Sequence, residues 1–414
     1  MPRATSLSLV PILFATATAL AAESAPSAND GIGALVDDGT VTLNFRHRYE
    51  FVDDESFSED ANASTLRSRL TLQSGAWEGF AFLAEFDDVR EIVYDDFNAG
   101  EGNTPGRTEY PVVGDPEGTE VNQAYVDYKG IAYTTLRVGR QRINLDNQRF
   151  VGGVAWRQNE QTFDAASVGI DKDNLHFFYA WVEGVRRIWG DDVPAGDHEQ
   201  DGTHLVNARA DFAGIGTLAA YYYGIDNLDS PSFSTDTFGA RFSGLRDLEP
   251  VDVRYAAEFA TQSDAHDNPV SYDANYYLLE GGVIVQGVDV GLGWEVLEGD
   301  EDEAGKAFRT PLATLHAFNG WVDKFLTTPP EGLDDKFVKV KGTFGNTLVE
   351  FRYHTFAGED SGDSIGDEWN LQVGQQFHKR LRGDFIFGDF QSSDPRPAYQ
   401  DTMKVWVMLT ASLP

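Results

Sequence analysis

From Thr40 onward the chain consists of segments of about 10–13 residues in which apolar and polar positions alternate. In the first, Val41, Leu43, Phe45, His47, Tyr49 and Phe51 share one face. Thr42, Asn44, Arg46, Arg48 and Glu50 share the other. In the second, Leu66, Ser68, Leu70 and Leu72 oppose Thr65, Arg67, Arg69, Thr71 and Gln73. In the third, Phe80, Phe82, Ala84 and Phe86 oppose Ala81, Leu83, Glu85 and Asp87. The pattern recurs downstream. Val206, Ala208, Ala210 and Phe212 oppose Asn207, Arg209 and Asp211, and Val251, Val253, Tyr255, Ala257 and Phe259 oppose Asp252, Arg254 and Glu258. Val288, Val290, Leu292, Trp294 and Val296 oppose Asp289 and Glu295, and Val349, Phe351 and Tyr353 oppose Glu350, Arg352 and His354. A period of two means strands whose two faces meet different surroundings.

The connections alternate as well. Short ones lie at Gly75-Ala76-Trp77-Glu78, Lys129-Gly130-Ile131-Ala132, Asp171-Lys172-Asp173-Asn174, Ala213-Gly214-Ile215-Gly216, Gln286-Gly287 and Gly345-Asn346. Between them lie longer, often acidic ones at 53–62, 92–118, 143–161, 185–202, 226–234, 263–271, 298–335, 358–366 and 392–400. Nine long loops join nine strand pairs, which predicts about 18 strands. An even number places both termini at one end. The spacing leaves room for tilted strands of about 9–11 residues, enough to cross a bilayer. The predicted fold is all-β: a transmembrane antiparallel barrel with short periplasmic turns and long acidic outer loops.

The N-terminus sets the compartment. Residues 7–20 are mostly apolar, Arg3 precedes them, and Ala19-Leu20-Ala21 places small residues where a signal peptidase reads. We expect a signal peptide over 1–21, a periplasmic leader over 22–39 and the barrel over 40–414. No later stretch is long and apolar enough for a membrane helix, so a mature chain that enters the membrane does so as a closed barrel. The alternatives are a secreted β-sandwich and a β-helix. The strand count and the aromatic apolar faces speak against the sandwich, and no short internal repeat supports the β-helix.

Composition narrows the chemistry. The 414 residues carry 67 Asp and Glu against 32 Lys and Arg, a formal charge of −35, which argues against nucleic acid as a partner. With no Cys there are no disulfides or thiolate sites. No metal-ligand His spacing or nucleophile elbow is present, so no catalytic residue, metal or cofactor is assigned and an enzyme is not expected. A barrel enzyme would need a Ser/His or Asp/His set at the rim, and none is found. The acidic runs are read as solvated outer loops, because a hard-cation site needs ligands converging on one point.

Much of the small arginine stock falls on the polar faces: Arg46, Arg48, Arg67, Arg69, Arg137, Arg209, Arg241, Arg254, Arg352 and Arg382. Glu85, Asp87 and Asp127 stand among them. In so wide a barrel the lumen is expected to be a water-filled channel. Arginine holds a fixed charge on a planar fork that suits carboxylates, and an arginine-lined pore selects anions. The competing reading makes these residues structural ladders bracing the wall.

Two stretches are more specific. One is Gly139-Arg140-Gln141-Arg142-Ile143-Asn144-Leu145-Asp146-Asn147-Gln148-Arg149-Phe150, continuing to Trp156-Arg157-Gln158-Asn159 and Gln161-Thr162-Phe163-Asp164-Ala165. The other runs from Thr310-Pro311-Leu312 through His316-Ala317-Phe318-Asn319-Gly320-Trp321 to Thr328-Pro329. Together they resemble the alginate export porin family. The resemblance implies a monomeric 18-stranded barrel in the outer membrane, an arginine-lined and acid-balanced lumen, and passage of an anionic polysaccharide. The alternative is a general uptake porin for small anions or oligosaccharides. Arg140, Arg142, Arg149 and Arg157 would then sit on a loop folded into the pore mouth. The second stretch would form an ordered loop narrowing the channel. Expected partners are an anionic saccharide, outer-membrane lipid and the barrel assembly machinery. The chain ends in Leu413-Pro414, without the terminal aromatic that assembly usually reads.

Overall fold

The computed structural model describes residues 32–413. The expected signal peptide and most of the expected leader lie outside these residues. Eighteen strands follow in chain order. The first six are β1 (Thr40–Asp54), β2 (Ala61–Gln73), β3 (Phe80–Asp96), β4 (Gly118–Ile131), β5 (Thr134–Gln141) and β6 (Thr162–Lys172). The next six are β7 (Leu175–Arg186), β8 (Asp197–Phe212), β9 (Gly216–Ile225), β10 (Thr235–Asp247), β11 (Asp252–Asp264) and β12 (Asp273–Val285). The last six are β13 (Val288–Leu297), β14 (Leu333–Phe344), β15 (Thr347–Ala357), β16 (Ser364–His378), β17 (Leu381–Ser392) and β18 (Thr402–Leu413).

Each strand pairs antiparallel with its sequence neighbours, and β1 also pairs with β18 from Leu43↔Leu413 to Asp54↔Thr402. The sheet is therefore a closed barrel. Closure satisfies every strand edge, which is what lets strands cross lipid. Outward positions carry large apolar side chains that stay more than half exposed, such as Phe238, Leu279 and Leu292. They alternate with inward polar residues, so the period of two has become a lipid face and a lumen face.

Nine long connections gather at one end, as the sequence predicts. The short-turn end holds eight connections, two more than the sequence reading identified: 248–251 and 379–380 were not recognised. Several loop bounds also shift. β3 continues to Asp96, paired with Asn62 on β2, and β8 begins at Asp197, paired with Arg186 on β7, which shortens the expected loops 92–118 and 185–202. Gln286 and Gly287 both take positive φ, the two-residue hairpin turn whose twist matches the strands it joins.

The described part of the leader is a single helical turn, Ala34–Asp37, seated on the β2–β3 connection. The Gly75 N–H donates to the Leu35 carbonyl at 3.0 Å, and a Cβ at Gly75 would lie 2.2 Å from the Ala34 oxygen. Only glycine permits that approach.

Candidate functional site

The lumen departs from the expected open channel. Three long-loop segments, 97–117, 142–161 and 298–332, turn inward and fill part of it. Loops 142–161 and 298–332 meet as neighbouring backbone. Val151 and Leu312 form a parallel bridge, Gly152 N–H donates to the Leu312 carbonyl at 2.9 Å, and Thr314 N–H donates to the Gln148 carbonyl at 3.0 Å. Ile143, Phe150, Val151, Phe308, Leu312, Val322 and Phe325 are buried in one apolar cluster with inward residues of the wall. An apolar core inside the barrel offsets the ordering of two long loops. The second stretch contains one 3₁₀ turn, Leu315–Ala317, within otherwise irregular chain.

This packing divides the predicted arginines into two sectors. On β1 and β2 they are covered. Arg46 and Arg67 are register partners across β1 and β2, and Arg69 faces Asp87 across β2 and β3. Arg48, Arg67 and Arg69 are only 1%, 5% and 9% exposed. They are therefore not open pore lining, which corrects the simplest reading of that face. The physical reason is charge density. Like charges this close need anions or carbonyl dipoles, and loop 142–161 supplies both. Arg46 donates to the Ala155 carbonyl and the Gln158 Oε1, each at 2.9 Å, and to the Arg157 carbonyl. Glu160 accepts from Arg69 at 2.7 Å and from Arg142 at 2.6 Å. Asp115, from loop 97–117, lies 3.4 Å from Arg48 and accepts the Gln158 N–H at 2.8 Å. Asp87 takes Arg69 in two-pronged contact at 2.7 and 2.6 Å, and Glu85 lies 3.2 Å from Arg142.

Burial alone would raise the Glu160 carboxyl. The surrounding Arg69, Arg142 and Arg67 hold it well below the usual carboxylate range. Asp115 is likewise held down, against burial, by Arg48 and Arg157. The pore-mouth prediction for Arg140, Arg142, Arg149 and Arg157 resolves residue by residue. Arg140 pairs two-pronged with Asp164 on β6 at 2.9 and 3.2 Å, and Arg142 joins the Glu160 cluster. Arg149 is buried, bonded to Glu295 at 2.7 Å and to Asn319 at 3.0 Å. Arg157 pairs with Glu50 and with Asp323, both at 3.1 Å. Arg149 and Arg157 tie the first loop to the wall and to the second loop.

Around Arg157 the second loop presents His316, whose ring stacks on Trp156 at 3.9 Å and whose Nδ1 bonds Asp323 at 2.7 Å. Against the cost of burial, His316, Lys404 and Arg157 hold the Asp323 carboxyl far down.

The opposite wall, β8 to β17, keeps its cations partly exposed. Arg241 pairs with Glu258 at 2.6 Å, and Arg254 with Asp289 at 2.7 Å and with Glu280. Arg352 bonds Glu350 at 2.8 Å and stacks over Trp321, and Arg382 pairs with Asp384 at 2.6 Å. Side-chain exposure in these ion pairs runs from 13% at Arg241 to 35% at Arg382. Arg209 is exposed, and among the described residues its side chain takes no ion pair or hydrogen bond. Arg137 stands apart on β5, held two-pronged by Asp127 at 2.6 and 2.8 Å and laid over Tyr125.

Two members of the exposed wall were missed in the sequence. Lys339 lies 3.3 Å from Glu280 and Lys341 2.9 Å from Glu350. Their signal was present: they alternate with outward Val338 and Val340 on β14, a strand the pattern reading did not single out. Lys404, Asp115, Glu160 and Asp323 were not recognised either, because their roles arise from loop placement.

The arrangement is chemically a set of fixed cations facing a narrowed lumen, all but Arg209 partly neutralised by an acid partner. It suits reversible contact with carboxylates.

Comparison with known proteins agrees with this architecture. No curated protein sequence matches the chain. Solved structures match closely in fold. Acinetobacter baumannii OccAB4 has a TM-score of 0.70 at 14% identity, with 91% of this chain and 98% of that chain covered. Acinetobacter baumannii OccAB2 has a TM-score of 0.71 at 17% identity, covering 92% and 99%. Pseudomonas aeruginosa OpdK, solved with vanillate, has a TM-score of 0.71 at 12% identity, also covering 92% and 99%. At such identity the likeness concerns the fold. A family model for alginate export matches residues 39–312, more than half of the chain, and with the closed 18-stranded barrel and its cation-faced lumen this places the protein in the alginate export family of outer-membrane barrels.

Proposed function

We propose that the protein is an outer-membrane channel for anionic saccharides of the uronate type, and that the solute travels along the β8–β17 wall. The observation that carries this reading is the exposure of cations there. Arg241, Arg254, Lys339, Lys341 and Arg382 face the lumen partly exposed, with acid partners that leave each only partly neutralised. Arg352 does so beside Trp321 of the second loop, and Arg209 is exposed with no ion pair among the described residues. A row of such sites binds a polyanion at many weak points, which permits entry and release. The covered arginines on β1 and β2 act in this scheme as anchors for loop 142–161. The protein works as a channel and not as an enzyme. It acts as a monomer, is inserted by the barrel assembly machinery, and is exported on a signal peptide cleaved after Ala21.

A second reading, uptake of small carboxylates, draws on the narrowing of the lumen by two pinned loops. It draws also on the fold likeness to OpdK, whose structure holds vanillate, a small carboxylate.

Planar bilayers test both. The wild-type channel should prefer anions and be blocked by oligomannuronate. Arg254→Gln with Arg352→Gln should shift the reversal potential toward cations and weaken that block. Cation preference that these changes leave unaltered sinks the proposal. Block by small carboxylates without block by oligouronates selects the second reading.

A further inference from the structure

Loop 142–161 carries an acid toward the basic wall. Asp146 lies at the tip of a tight turn in which Gln148 N–H donates to the Leu145 carbonyl at 2.8 Å and Leu145 N–H donates to the Val151 carbonyl at 3.1 Å. Its φ of 49° is the left-handed conformation that short polar residues tolerate best. The turn aims the carboxylate across the lumen to β8, where Asp146 Oδ2 accepts from Asn207 Nδ2 at 2.6 Å. Asn207 is buried, and the same nitrogen also donates to the Tyr223 hydroxyl at 3.2 Å, so the donor is held from both sides.

The neighbourhood of that carboxylate is cationic. Asn207 and Arg209 lie on the same lumen face, one alternation apart. Ala219 on β9 is the register partner of both Arg209 and Arg241, so the two arginines flank a small residue and face one space. Arg241 already has Glu258, whereas Arg209 has no direct partner among the described residues. Burial pushes the Asp146 carboxyl up, and the Asn207 bond with the charges of Arg209 and Arg241 opposes that rise.

We propose that Asp146 is an internal counter-anion: it shares the field of Arg209 and Arg241 without saturating either, and so competes with the carboxylate of a passing solute at this step of the wall. Its bond to Asn207 rather than to an arginine is what keeps Arg209 available. A carboxylate arriving from solution meets an attraction already partly offset, which shortens its stay. The proposal deepens the channel reading and rests on it for the saccharide, but not for small ions.

Asp146→Asn tests it, since an amide oxygen still accepts from Asn207 and the turn is preserved. Folding is checked by the heat-modifiable gel band. In a KCl gradient D146N should move the reversal potential toward anions. Its block by trimannuronate should tighten several-fold. Arg209→Gln should do the opposite, and D146N added to R209Q should tighten block far less than it does alone. Unchanged reversal potential and unchanged block in folded D146N overturn the proposal, as does an equal effect in the R209Q background. If D146N shifts the KCl reversal potential while neither form is blocked by oligouronate, the counter-anion role stands and the saccharide reading fails.

Discussion

Arg157 of loop 142–161 and Asp323 of loop 298–332 form a buried ion pair at 3.1 Å, joining segments 166 residues apart in the middle of the barrel. The same guanidinium reaches Glu50 on β1, so one side chain ties both loops to the wall. Burial works against its charge, yet Glu50, Asp115 and Asp323 raise its pKa above the ordinary arginine value.

Breaking this link should widen the channel. Removing one partner of a buried pair costs about 3–5 kcal/mol, because the other charge stays in low dielectric. Here the loops can move and relieve that cost. Arg157→Gln is expected to raise single-channel conductance and to open 298–332 to protease. Asp323→Asn should act less, since Glu50 still holds Arg157. Wild-type conductance and protease resistance in both variants would remove the latch.

Acid should loosen the first loop, and Glu160 sets the window. Its carboxyl is depressed in the docked loop, so its contribution is complete above the ordinary value of 4.5 and is lost as pH falls through the lower docked value. Conductance should hold steady from neutral pH to about 5 as far as this group is concerned, then rise below about 4. Glu160→Gln should already be loosened at neutral pH and should lack that rise. A titration over the same range, run on both proteins, decides it.

The two faces of the strands should respond oppositely to charge. Leu292 is outward on β13 and 64% exposed. Leu292→Arg is expected to cost about 2–4 kcal/mol if it sits at the bilayer midplane, read as loss of the folded band in refolding into vesicles. Ser243 is inward on β10, beside Arg241, and Ser243→Arg should assemble normally because water reaches it. Equal tolerance at both positions would reverse the face assignment.

The covered and exposed arginines should also separate. Arg67→Gln and Arg69→Gln remove groups that hold loop 142–161, at 3.4 Å from the Gln158 carbonyl and 2.7 Å from Glu160. Their main effect should be on conductance noise and protease resistance. Arg254→Gln and Arg382→Gln, on the exposed wall, should mainly move reversal potential. A selectivity change from Arg67→Gln as large as that from Arg254→Gln would erase the distinction between the sectors.

By itself the sequence determined the barrel, its strand number and which residues face in. These follow from local constraints: a strand alternates its side chains, a bilayer demands apolar residues outside, and every backbone group must be paired. Arg241 opposite Glu258 and Arg69 opposite Asp87 were legible as inward residues for that reason. Only the tertiary structure decided which inward cations meet solvent. Arg46 and Arg254 look alike in the pattern, yet one is bonded to loop carbonyls and the other is partly open. The difference comes from where loops 142–161 and 298–332 fold. That depends on contacts such as Arg157 with Asp323 and Val151 with Leu312, between residues more than a hundred positions apart, which no local periodicity records.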